Sequence, residues 1–153
     1  MLVAGWEENR TLMELEVRTL QLSKNSWASE LSSRYIRKIV RFEKINFKNI
    51  KDEKKWLAGV ESKDIVCACD ERAQSLSSKE FAKKIETLRD GGTRKLIFYI
   101  GGPFGLPEEV LSRANLKLTL SPFVLNQEIA LTVLMEQIFR AYTIINNHPY
   151  HNE

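Results

Sequence analysis

Leu96-Ile97-Phe98-Tyr99-Ile100-Gly101-Gly102-Pro103-Phe104-Gly105-Leu106 decides how this chain reads. The first five residues form a continuous apolar run of strand length, the pattern of a strand covered on both faces. Three glycines and a proline follow within five positions, giving a backbone that turns sharply and leaves its N–H groups uncovered. A loop of that kind at the carboxyl end of a buried strand is where open α/β sheets hold ligands. By spacing alone it fits a plain strand-to-helix turn equally well. No Gly-Lys-Ser/Thr follows, so it is not a P-loop, and Gly-Gly-Pro-Phe-Gly is not the Gly-x-Gly-x-x-Gly dinucleotide fingerprint.

Upstream, Ile65-Val66-Cys67-Ala68-Cys69 is a second covered strand. Ser77 with Glu80 forms a capping box, and Phe81, Ala82, Ile85 and Leu88 supply the buried stripe of a helix that Gly91-Gly92 stops. Nearer the N-terminus, Val17, Leu20 and Leu22 mark a strand. Apolar residues at helical spacing from Trp27 to Phe42 mark an amphipathic helix, and Ile45 and Phe47 mark another strand. The charged connection Lys51–Lys55 leads into Trp56-Leu57-Ala58, read as one helical turn. Downstream, Pro107 opens a short helix through Ala114. Leu116, Leu118 and Leu120 alternate as a strand, a last helix runs from Gln127 to Ile145, and a polar tail follows. Strands and helices alternate throughout, so the expectation is one α/β domain over residues 15–153. Its sheet is mostly parallel, with helices on both faces. Residues 1–14 show no clean period and are expected to be a poorly ordered extension.

At 153 residues, 43% hydrophobic and 28% charged, the composition is that of a soluble globule able to bury its own core. No apolar run approaches membrane-spanning length, and the first ten residues lack a basic start followed by an apolar stretch. With two cysteines and no disulfide framework, a reducing cytoplasm is expected. The formal net charge of +3 is compatible with an anionic partner and does not demand one.

Cys67 and Cys69 share one face of their strand, but two thiolates without further ligands fall short of a structural zinc site. They read as small buried hydrophobes, and no metal is expected. The basic helix face of Arg34, Arg37, Lys38 and Arg41 is either a solvated surface or a phosphate-tracking one. Both histidines lie in the last six residues, in Asn146-Asn147-His148-Pro149-Tyr150-His151-Asn152-Glu153. That ending is either a frayed terminus or a clasp that sets imidazole and phenol over a pocket.

Four blocks together resemble one family: Ile100–Leu106, Leu118-Thr119-Leu120-Ser121, Glu136-Gln137-Ile138-Phe139-Arg140-Ala141-Tyr142 and Asn147-His148-Pro149-Tyr150-His151. It is the bacterial large-subunit ribosomal RNA pseudouridine N3-methyltransferases, small members of the SPOUT (trefoil-knotted) methyltransferases. The likeness runs from about residue 17 to the end, through Asp70-Glu71-Arg72 and Leu76–Phe81. It implies a C-terminal trefoil knot, S-adenosylmethionine as cofactor, ribosomal RNA as substrate and a homodimer that shares its active region. It further implies a cofactor site lined by Cys69, Gly101, Gly102, Leu120, Ser121, Pro122, Phe123, Val124 and Leu125. Arg140 is then the electrostatic partner of the base or a phosphate. Tyr150 and His151 are contributed by the tail, with Asn147 and His148 in support.

Several features depart from the family. Members usually carry Pro-His after the cofactor loop and an arginine four residues beyond; here these are Asn126, Gln127 and Leu131. The connection from Ile50 to Asp64 is shorter than the family's usual helix, and Cys69 stands where leucine is usual. The readings that remain beside the pseudouridine enzyme are a methyltransferase moved to another RNA site and a noncatalytic ribosome-binding protein.

Overall fold

The computed structural model describes residues 12–151. Along the chain come β1 (Glu14–Leu20), α1 (Trp27–Ile39), β2 (Lys44–Ile50), a 3-10 turn (Glu53–Lys55) and β3 (Ile65–Cys69). These are followed by α2 (Ser78–Asp90), β4 (Lys95–Ile100), α3 (Glu108–Arg113), β5 (Leu116–Leu118) and α4 (Gln127–Ile145). The five strands form one sheet in the order β2-β1-β4-β3-β5, every pair parallel, as the alternation of elements implies. The first eleven residues of the expected extension lie outside the described residues. Of the rest, Met13 is fully buried and Glu14 already pairs in β1.

β4 shows how the sheet is built. Its pleat sends alternate side chains to opposite faces. Leu96, Phe98 and Ile100 enter the core beneath α1, α2 and α4, whereas Ile97 and Tyr99 enter a second core with Ile50, Trp56, Val66 and Val110. A strand feeding two cores needs apolar residues at every position, which is why the run reads as continuous. α4 lies between α1 and α2 on the first face. Leu131 is fully buried in that layer.

The helix starts are fixed locally. Ser26 accepts from the Ala28 N–H at 3.0 Å, Ser77 and Glu80 close a reciprocal capping box, and Asn126 accepts from the Ile129 N–H at 2.9 Å. Asn126 thus serves as the N-cap of the last helix. β5 is shorter than its alternation suggests and ends at Leu118. Thr119 turns to bridge Ser75, which releases Leu120 into a loop.

Connections running toward the β2 edge, through α1 and α2, cross the first face. Those running toward the β5 edge, through residues 51–64 and α3, cross the second. All four crossovers therefore have one hand, as parallel sheets require. The long β2–β3 connection is anchored midway by Arg18, which is 1% exposed beneath the sheet. Its guanidinium is paired with Glu16 and donates to the carbonyls of Trp56 and Ala58 at 2.8 and 2.9 Å, while the Tyr99 hydroxyl donates to Trp56 at 2.8 Å. The Trp56 segment is thus a buried anchor and more than a surface turn.

Candidate functional site

β3 and β4 are neighbours, yet the chain leaving β3 goes to α2 on one face and the chain leaving β4 goes to α3 on the other. The two strand ends diverge and open a crevice, the place where α/β sheets accept ligands. A cavity of about 520 Å³ lies there, within the range of small-molecule sites. One wall is the glycine loop with Gly101 and Gly102. A second is Leu120, Ser121, Phe123, Val124 and Leu125, and Cys69 closes the end of β3. Of the residues expected to line a cofactor, Pro122 alone is not part of the wall.

The glycine loop closes on itself. Gly102 and Gly105 form an antiparallel bridge, with the Gly105 N–H donating to the Gly102 carbonyl at 2.9 Å. A Cβ on Gly101 would lie 2.7 Å from the Gly105 carbonyl carbon, and Gly105 itself has φ +78°. The missing side chain at Gly101 is therefore required by the loop's own backbone as well as leaving room for a ligand. Across the β5–α4 loop, Thr119 donates to the Ser121 carbonyl at 2.7 Å and the Phe123 N–H donates to the Ser121 hydroxyl at 2.9 Å. These bonds stiffen the apolar wall, although Phe123 and Val124 are each 77% exposed.

Sequence reasoning missed several wall residues. Asp70, Glu71 and Arg72 border the cavity, and burial of Asp70 is outweighed by hydrogen bonds from Arg72, which hold its carboxyl below the usual range. Gln127 also lines it and donates to the Leu20 carbonyl, tying the start of α4 to the end of β1. The Cys69 thiol is pushed well up by its hydrogen bond with Cys67 and then by burial, which keeps it protonated. Among the described residues no group of three or more His, Cys, Asp or Glu side chains could hold a metal, and no helix is long and apolar enough to cross a membrane.

Arg140, Tyr150 and His151 are brought together, but elsewhere. Glu136, one helical turn before Arg140, takes its guanidinium on both oxygens at 3.3 and 2.9 Å and also accepts from the Tyr150 hydroxyl at 2.9 Å. The Arg140 guanidinium lies 4.8 Å from the Tyr150 ring centre, and the Phe139 ring meets Tyr150 edge-on at 4.9 Å. Arg140 reaches His151 Nδ1 at 3.0 Å. A guanidinium only donates, so Nδ1 accepts and the imidazole proton sits on Nε2. His148 Nδ1 accepts from the Tyr150 N–H at 3.2 Å, folding the tail back on itself. Burial first, and Glu136 second, raise the Tyr150 phenol above its ordinary value, so it remains a neutral donor at physiological pH. None of the three residues borders the cavity. Ala130 does, and Arg140 lies ten residues further along α4, about 15 Å down the helix axis.

The sequence matches, over residues 13–151, the family described as predicted SPOUT methyltransferase. The ribosomal RNA large subunit methyltransferase H of Bdellovibrio bacteriovorus is 38% identical, over 92% of this chain and 99% of that protein. Its namesake from Trichlorobacter lovleyi is 35% identical, over 92% of this chain and 100% of its own length. Among solved structures, the TrmH/SpoU tRNA modifying enzyme of A. aeolicus superposes with a TM-score of 0.56 at 13% identity, covering 100% of this chain and 91% of that one. A probable methylase family protein from Haemophilus influenzae gives 0.56 at 13% identity, covering 94% and 71%. At those identities the structural likeness speaks for the fold alone.

Proposed function

This chain belongs to the SPOUT methyltransferase family, and from that premise we propose that it transfers the methyl group of S-adenosylmethionine to N3 of a pseudouridine in large-subunit ribosomal RNA, in the cytoplasm. The observation that carries the reading is the cavity at the diverging ends of β3 and β4, walled by the glycine loop and the 120–125 loop.

The wall residues fit such a cofactor. Gly101 and Gly102 let main-chain groups approach a ligand closely. Leu120, Val124 and Leu125 offer apolar surface for an adenine ring, Ser121 a polar contact and Cys69 a compact protonated thiol. When bound, S-adenosylmethionine supplies a methyl group on a sulfonium, a leaving group that needs no activation. The chain's task is then alignment and charge. Holding donor and acceptor in register removes much of the barrier. A ring nitrogen that releases its proton to water leaves an anion, and Arg140, oriented by Glu136, is a fixed cation for it. Tyr150 steadies Glu136 through its hydroxyl, and His151 braces the guanidinium through Nδ1.

Within one chain this cluster and the cavity stand about 15 Å apart along α4. We therefore place the reacting centre between two copies in a homodimer, the tail cluster of one beside the cavity of the other. The threaded C-terminal segment of the family belongs to the same proposal.

Purified protein, ribosomes from a strain lacking its gene and labelled S-adenosylmethionine test the reading by mass mapping of the RNA. A methyl on one pseudouridine of the large subunit is expected. Methylation at a different nucleotide overturns the substrate, and failure of the folded protein to bind S-adenosylmethionine in calorimetry overturns the enzyme.

A further inference from the structure

Phe104 sits in the turn of the glycine loop and is 101% exposed. Burying a phenylalanine contributes about 1.5–3 kcal/mol to a fold, and this one contributes none of it. The mount beneath is nevertheless rigid. Pro103 fixes its own φ, the Gly105 N–H bonds the Gly102 carbonyl at 2.9 Å, and the backbone of Gly105 lies where a side chain on Gly101 would be. An exposed ring is thus carried on a stiff hairpin at the edge of the cavity it borders.

The surrounding rim carries both signs, Asp70 and Glu71 beside Arg72. Arg72, on the same rim with a side chain 73% exposed, is held by Asp70 through Nε and Nη2, both at 3.2 Å. Lys117 is exposed on the neighbouring β5. A rigid aromatic face beside an oriented guanidinium is the chemistry that receives an unpaired nucleobase and its phosphate. We infer that Phe104 stacks on a nucleobase of the RNA substrate at the cavity mouth, positioning the strand for methyl transfer. This rests on the reading of the chain as an RNA methyltransferase.

The test compares wild type with Phe104→Ala and Phe104→Trp. Phe104→Ala should raise KM for the ribosomal substrate roughly 5- to 150-fold, the range for loss of one base–aromatic stack. Its kcat, melting temperature and calorimetric affinity for S-adenosylmethionine should stay unchanged, and Phe104→Trp should restore KM. Independently of turnover, single-stranded RNA spanning the methylated site should quench the added indole of Phe104→Trp beyond the quenching of wild type. An unchanged KM in Phe104→Ala, no added quenching, or dissociation of Phe104→Ala into monomers in sedimentation would each overturn the proposal. Quenching by RNA with a wild type that methylates nothing would sustain the stacking contact and remove the enzymatic reading, so the two failures are separable.

Discussion

Gly101→Ala puts the design of the glycine loop to the test. The new Cβ would stand 2.7 Å from the carbonyl carbon of Gly105 and 2.9 Å from both Gly105 Cα and the Leu106 nitrogen, far inside the 3.4 Å at which ordinary contact begins. All three atoms are backbone, so no rotamer change relieves the clash and the Gly102–Gly105 bridge must open. Overpacking of this kind costs about 1–3 kcal/mol. For a chain of this size that lowers the melting temperature by roughly 2–12 °C. The neighbouring glycines are internal controls. A Cβ on Gly102 meets only the flexible Leu20 Cδ2 at 3.4 Å, and one on Gly105 meets nothing but inherits φ +78°, a strain of about 1–2 kcal/mol. Calorimetric melting should therefore rank Gly101→Ala as most damaging and Gly102→Ala as nearly silent. Titration with S-adenosylmethionine should show affinity lost with the loop in Gly101→Ala. A Gly101→Ala protein with wild-type melting and binding, or a Gly102→Ala protein more damaged than it, would refute the closure argument.

Arg140→Ala should cut turnover about 10²- to 10³-fold with cofactor affinity nearly intact, as loss of a charge-stabilising group does; a matching loss of cofactor binding in calorimetry would contradict the placement. Glu136→Gln should release the Arg140 fork and bring the Tyr150 phenol back toward its ordinary value, read by ultraviolet titration against a Tyr150→Phe reference. The Tyr99 phenol, pushed up to about 12 chiefly by burial, holds its proton more tightly folded than unfolded. Its contribution is complete below the unfolded value of 10 and is lost as pH climbs toward 12. Tyr99→Phe should accordingly be less stable at neutral pH yet show a shallower decline across that alkaline window in urea melts. Trp56→Ala should cost about 3–5 kcal/mol by urea unfolding, because the indole is 2% exposed and faces the Tyr99 ring at 5.8 Å.

Much of this architecture was legible because the signals were local. The double-sided burial of β4 shows as unbroken hydrophobicity, the capping box announces α2, and Pro107 marks where α3 begins. The glycine loop announces a turn at a strand end, and its place at a divergence of two strands makes it a wall. What stayed hidden depends on distant contacts. Glu16, two residues earlier on the same strand face, signals an ion pair, but not that Arg18 will be swallowed, because the carbonyls of Trp56 and Ala58 that hold it arrive from another connection. The strand order, with β4 between β1 and β3, is likewise set by packing across the whole chain. In the candidate site, Glu136 could have been found from its spacing to Arg140, a helical ion pair. The separation of the tail cluster from the cavity could not, since sequence motifs record which residues are present and not which lie within reach of one another in a single copy.

The buried guanidinium beneath the sheet has an evolutionary corollary. A grip on main-chain oxygens asks nothing of the side chains whose carbonyls it holds. Between its buried residues Ile50, Trp56 and Asp64, the segment can then drift in composition, and shorten or lengthen, provided two carbonyls come back under Arg18. Such drift would be policed from a remote strand, by the paired Arg18 and Glu16, and a lineage that lost either would find this stretch of chain suddenly intolerant of change.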